Sequence, residues 1–269
     1  MGKESPFPRY ERPPVVETVY SVQFDPIAAQ SVRIAQYWPF VKEVYKDIGV
    51  AQRLPAVFEP AYLTPNFQPL TISFEQDNRV VFDGQSHLLQ LQSDRFLMNW
   101  RKTSASSSYP GFDKNFPQFK DQLGRFSKYC RDEKLGELSF NQLELTYVNF
   151  IENLSVEKQL DFSHIFVDHF IDSSSNRFLS NPESFNWNTS YKMPNGLGRL
   201  HTLANTVSLP DKPEGTQIIR VELTARGRPE RFVEGEFDRW FQCAHEWVVR
   251  GFSDLVSGEF QKKHWGRIS

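Results

Sequence analysis

The chain has 269 residues, enough for one large domain or two small ones with a substantial core. Its 31 Lys+Arg stand against 33 Asp+Glu, so no overall field gathers polyanions or an acidic membrane surface. No run of about 18 apolar residues is present, and "MGKESPFPRYERPP" at the start lacks the apolar stretch of a secretion signal; a cytoplasmic protein without a membrane span is expected.

In chain order, Pro13-Pro14 precede "VVETVYSVQF", whose alternation predicts a strand with Val16, Thr18, Tyr20, Val22 and Phe24 on one side. Asp25-Pro26 has the form of a helix start, predicting a helix toward Tyr45 that Trp38-Pro39 kinks or splits. Proline-punctuated chain follows, with "LTISFEQ" as a short strand inside it. Residues 79–102 read as a three-strand meander: "RVVFDG", a turn at Gly84, "HLLQLQ", a turn at Ser93-Asp94, and "RFLMNWRK". In its last strand Phe96, Met98 and Trp100 share one face and Arg95, Leu97, Asn99 and Arg101 the other.

Phe119, Leu123, Phe126 and Cys130 recur at helical spacing within 116–134. The run 139–152 returns to strand, with Leu143, Leu145, Tyr147, Asn149 and Ile151 pointing one way. Residues 153–185 show no clean period, and "FNWNTSYKM", "GRLHTLANTVSL" and "QIIRVELTARG" complete the sheet. A closing helix over 236–260 carries the stripe Phe237, Trp240, Phe241, Ala244, Trp247, Val248, Phe252 and Leu255. The fold class is therefore α+β: a mostly antiparallel twisted sheet packed on a long C-terminal helix and a middle helix. The order strands, helix, strands, helix allows a single domain of two related halves, 13–152 and 153–269, although no residue-level repeat accompanies it.

Three stretches resemble a family of bacterial and archaeal proteins of similar length, sporadic in distribution and without an assigned activity. They are "PPVVETVYSVQF", "LLQLQSDRFLMNWRK" followed by "YPGF", and "LELTYVNFIE"; the matching positions include Pro13, Pro14, Glu17, Tyr109, Pro110, Tyr147, Asn149 and Ile151. The closing "HEWVVRGFSDLVSGEFQKKHWG" is also similar to that family's last helix. The resemblance implies a common α+β fold and an occurrence like that of mobile elements, as in defence or toxin–antitoxin modules. It implies no cofactor and no catalytic residue.

Chemistry-bearing patterns are few. His164, Asp168 and His169 suggest a metal, but a five-residue step separates the histidines on a helix and puts them on opposite faces of a strand. His245-Glu246 opens like a zinc-protease helix, yet Val249 stands where the second histidine is required. Gly196-Leu197-Gly198 lacks the third glycine of a dinucleotide loop, and neither a phosphate loop nor a serine elbow is present. Cys130 and Cys243, far apart in predicted helices, read as free thiols. No cofactor, metal or catalytic set is assigned, and the balance leans away from an enzyme.

Aromatic residues make up 14 % of the chain, and "QLQSDRFLMNWRK" sets rings beside cations. Nucleic-acid strands need glycine-flanked rings on which bases can stack, and here Leu97 and Met98 occupy those positions. Phe96 and Trp100 are expected in the core. The candidate recognition surface is Arg95, Asn99 and Arg101, beside Tyr147 and Asn149 or beside Arg220 and Glu222. Two readings follow: a non-enzymatic protein that recognises a protein partner, and a small-molecule or nucleotide binder with a cavity between sheet and helices.

Overall fold

The first strand to be made, β1 (Val15–Phe24), lies inside the sheet, with β5 (Arg95–Arg101) on one side and β6 (Phe140–Glu152) on the other. The computed structural model describes residues 7–60, 77–104, 108–152, 162–168, 178, 184–209, 218–233 and 235–268. Outward from β5 run β4 (His87–Gln92), β3 (Arg79–Asp83) and β2 (Asp47–Ala51); outward from β6 run β9 (Ile218–Gly227), β8 (Gly198–Val207) and β7 (Asn186–Lys192). These nine described strands form one open sheet in which every neighbouring pair is antiparallel.

Period-2 alternation gives this sheet two chemically different faces. On one, Tyr20, Val22, Phe96, Met98, Leu143, Leu145 and Leu223 are fully buried. Two helices supply the cover, α3 (Phe112–Asp132) and α5 (Glu236–Leu255). Tyr20 lies beneath their crossing, 5.4 Å from Phe119 and 6.1 Å from Phe241 between ring centroids, and Phe116 meets Phe241 at 5.1 Å. Burying each such side chain contributes about 1.5–3 kcal/mol before the cost of ordering it. Gly251 lets α5 approach β8, because a Cβ there would stand 2.7 Å from the Leu200 side chain. The expected core roles of Phe96 and Trp100 hold, at 0 and 3 % exposure, and Met98 between them is buried as well.

Several local expectations need correction. Asp25-Pro26 does not open a helix, because the amides of Asp25, Ile27 and Ala28 are taken by the carbonyls of Ser139, Ser93 and Leu135. Helix appears only as α1 (Ser31–Ala35) and α2 (Trp38–Val41), divided just before Trp38-Pro39. Val15, not Val16, shares the face of Thr18, since a bulge lies between Val15 and Glu17. The expected turn at Gly84 is present; its left-handed residue is Gln85, at φ 68°, and a Cβ on Gly84 would stand 2.9 Å from the Val44 carbonyl oxygen. α3 begins at Phe112 rather than 116, so Pro117 sits in its second turn and forgoes one main-chain bond to Asp113.

The closing helix is also broken. Val256 adopts extended backbone and bridges to Phe166, which follows the short α4 (Phe162–Ile165). Ser257 then caps α6 (Gly258–Trp265), its Oγ accepting from the Phe260 amide. The "LTISFEQ" segment and most of 153–185 lie outside the described residues. No described helix is long and apolar enough to cross a membrane.

Candidate functional site

The alternation that buries Leu143 and Leu145 carries Tyr147 and Asn149 onto the same, helix-covered face of β6. There the helices do not close over the sheet. A cleft of about 970 Å³ opens between the N-terminal segment 7–15, the turn before α3, and α5. Gly111, at φ 92°, ends that turn and starts α3, placing Tyr109 5.2 Å from Trp100 and 5.8 Å from Tyr147 between ring centroids. Pro14 fixes the entry to β1 by accepting from the Phe150 amide.

The polar groups Tyr109, Tyr147 and His245 of this cleft are held uncharged, while Arg9, Asp113, Arg239 and Glu246 also line it. The Tyr109 and Tyr147 hydroxyls share a 2.6 Å hydrogen bond. Burial pushes the Tyr109 phenol up to about 12 and the Tyr147 phenol well above its ordinary value. Behind them the fully buried Tyr20 hydroxyl lies close enough to act on both the Tyr109 and Tyr147 phenols, and the fully buried Thr18 hydroxyl has no hydrogen-bond partner. His245 of α5 stacks on Phe112 at 4.2 Å, and Phe7 lies 5.0 Å away. Burial lowers its pKa to about 4 despite the opposing pull of Asp113 and Glu246, so the ring is neutral at pH 7. Asn149 donates a long 3.4 Å bond to the Val221 carbonyl. Cys243 also lines the cleft, but burial raises its pKa, which disfavours the reactive thiolate.

The other candidate residues lie elsewhere. Arg95, Asn99, Arg101, Arg220 and Glu222 occupy the opposite face of the sheet, so Tyr147 and Asn149 do not join them. Each of the five is engaged within the chain. Asn99 accepts from Gln90 at 2.8 Å and donates to Glu17 at 2.7 Å, and Arg101 binds Asp83 at 3.0 Å and the Gln85 carbonyl at 2.8 Å. Arg220 pairs with Glu222. Arg95, 7 % exposed, donates to Gln23 at 2.6 Å and to the Pro55 carbonyl at 3.0 Å, beneath an extended segment that crosses this face.

Sequence reasoning set aside His245 when the zinc motif failed and treated Tyr109 as part of a family block only. No described group of three or more His, Cys, Asp or Glu could hold a metal; His164 is exposed and His169 lies outside the described residues. Cys130 and Cys243 are free, Cys130 being buried. No protein-family model matches this chain, and no curated protein sequence matches it.

Proposed function

We propose that this protein binds a small, uncharged molecule in the cleft above β1 and β6, one that carries both hydrogen-bond donors and acceptors. The observation that carries this reading is the Tyr109–Tyr147 hydroxyl pair, set with a neutral His245 and Asn149 in a cleft of about 970 Å³. Ligand sites combine apolar walls with a few convergent polar groups, and Phe7, Phe112 and Val248 supply such walls. Neutral phenols, an amide and an imidazole can each donate or accept, and on the cleft's lining Arg9 and Arg239 are balanced by Asp113 and Glu246, so no net charge selects an ion. The pairing of Arg101 with Asp83 and of Arg220 with Glu222 weakens the protein-partner reading for those residues.

The test is native mass spectrometry of protein purified without denaturant from its own host, in the wild type and in a Tyr109→Phe/Tyr147→Phe variant. A small-molecule mass increment carried by the wild type and lost from the variant is expected. The same increment on both proteins, or none on either with no melting shift across a panel of neutral amides, phenols and nucleobases, would exclude this site.

We also propose membership of the sporadic bacterial and archaeal family, supported by the blocks around Pro13, Tyr109 and Tyr147, and an origin of the sheet in two α+β halves. Strand order supports a division just before β6 rather than after it, because β1 with β5, β4 and β3 mirrors β6 with β9, β8 and β7. Each series ends in a helix preceded by a positive-φ glycine, Gly111 or Gly235, and Phe112 and Phe116 are echoed by Phe237 and Phe241.

A further inference from the structure

On the polar face of the sheet, residues 53–60 run as an extended strap from β4 across to β8. Their main chain is read by side chains. Gln92 accepts from the Leu54 amide at 3.1 Å and donates to the Leu54 carbonyl at 2.9 Å. Arg95 donates to the Pro55 carbonyl at 3.0 Å, Gln23 accepts from the Val57 amide at 2.9 Å, and Gln142 accepts from the Glu59 amide at 3.3 Å. Arg199 donates to the Pro60 carbonyl at 2.5 Å and to the Glu59 carboxylate at 2.5 Å, which also meets His201 at 2.8 Å. The glutamines of β4, β1 and β6 thus do for a crossing chain what a neighbouring strand does in a ladder.

Little besides these bonds holds the strap. None of its residues is fully buried, and Phe58 is 60 % exposed. Its ends are tied by charge, Arg53 to Asp94 at 2.5 Å and Glu59 to Arg199. The channel beneath it is not used up: Arg95 Nε and Gln142 Nε2 are buried donors with no hydrogen-bond partner, on side chains of residues 7 and 5 % exposed. A surface that reads main chain, keeps donors in surplus and ends in a carboxylate-binding Arg199–His201 pair suits an extended peptide with a carboxylate near one end.

We infer that this channel is a binding site for an extended, acceptor-rich peptide segment of a partner protein, and that residues 53–60 occupy it in cis as a competing ligand. Arg95, from the surface expected to recognise a partner, belongs to the channel floor, whereas Asn99 and Arg101 do not bond the strap. The inference is independent of the cleft on the other face.

The experiment uses the full chain and a fluorescein-labelled synthetic peptide of the strap's own sequence, Arg-Leu-Pro-Ala-Val-Phe-Glu-Pro, read by anisotropy. An Arg53→Ala/Glu59→Gln variant, which loosens the strap and leaves the channel intact, is expected to bind the peptide at least about tenfold more tightly than the wild type. A peptide N-methylated at the positions of Val57 and Glu59, unable to donate to Gln23 and Gln142, is expected to lose that binding. Equal affinity of a cooperatively folding variant and wild type, or equal binding of the N-methylated peptide, overturns the proposal. Should the variant not fold, hydrogen exchange on the wild type decides. The Leu54, Val57 and Glu59 amides should lose protection in excess peptide, and unchanged protection overturns it equally.

Discussion

Where Phe116 of α3 meets Phe241 of α5, the two sides of the contact differ. Toward the C-terminal end of β1 the space is filled with rings: Phe119 and Phe140 lie 6.4 and 5.8 Å from Phe237, and Phe232 packs on Phe140 at 6.1 Å. Toward its N-terminal end the same helix pair covers Tyr109, Tyr147, Asn149 and His245, and a cleft remains. Apolar rings interlock to interior density, whereas hydroxyls and an imidazole each need a partner that a close-packed core does not supply. The contrast marks the cleft as a local departure from a core this chain builds well only about two helix turns along α5.

The sharpest way to break the comparison is to cut rings on both sides. Phe119→Ala, at a residue with no exposure, should cost about 3–5 kcal/mol in urea unfolding. Phe112→Ala, at a partly buried residue beside the cleft, should cost clearly less. Equal losses would mean that both sides are one continuous core.

Acid comes next. His245 is neutral in both states above pH 6.5 and contributes no pH dependence there. Between 6.5 and about 4 the unfolded chain takes up a proton that the folded imidazole refuses, so stability falls as pH falls through that window. The loss should approach roughly 3 kcal/mol, and His245→Phe should flatten the slope between melts at pH 7 and pH 4.5. Asp113 and Glu246 oppose the shift, so adding Asp113→Asn to wild type should steepen the same slope.

Tyr147→Phe removes one hydroxyl of the buried pair and should cost about 1 kcal/mol. A loss as large as that of Phe119→Ala would make the hydroxyl pair a keystone of the fold rather than part of a binding site. Smallest is the ion pair of Lys120 and Asp238, which joins the two helices at 2.6 Å with side chains 40 and 43 % exposed. Lys120→Met should change stability by less than about 1 kcal/mol, falling further in salt.

Strands with two different faces could be read from the sequence. β3, β4, β5, β6 and β9 follow from alternation, because one face of each meets the helix-covered core. β2 could not, since Asp47, Ile48, Gly49 and Val50 are all exposed at the sheet edge and no buried partner imposes a pattern. The break at Val256 escaped because the apolar stripe continues past Gly251 to Leu255 and no proline marks its end. Of the cleft, Tyr147 and Asn149 were visible as strand positions, but their meeting with His245 depends on how α5 lies over β6. The strap left no trace, because most of its contacts are made by main-chain groups that every residue possesses, and Arg53 and Glu59 at its ends carry no spacing that marks them.

The central position of β1 also bears on synthesis. Its two neighbours, β5 and β6, end at residues 101 and 152, so as the chain leaves the ribosome the first strand waits for partners made long after it. During that interval Val15–Phe24 presents two unpaired edges and an apolar face, the features that invite pairing with other nascent chains. Incorporating β1 requires contacts distant in sequence, even though the β3–β4–β5 meander can form locally, and such contacts favour slow folding. A chain truncated before residue 140 lacks β6 and should bind a holdase, whereas the full chain released from the ribosome should not.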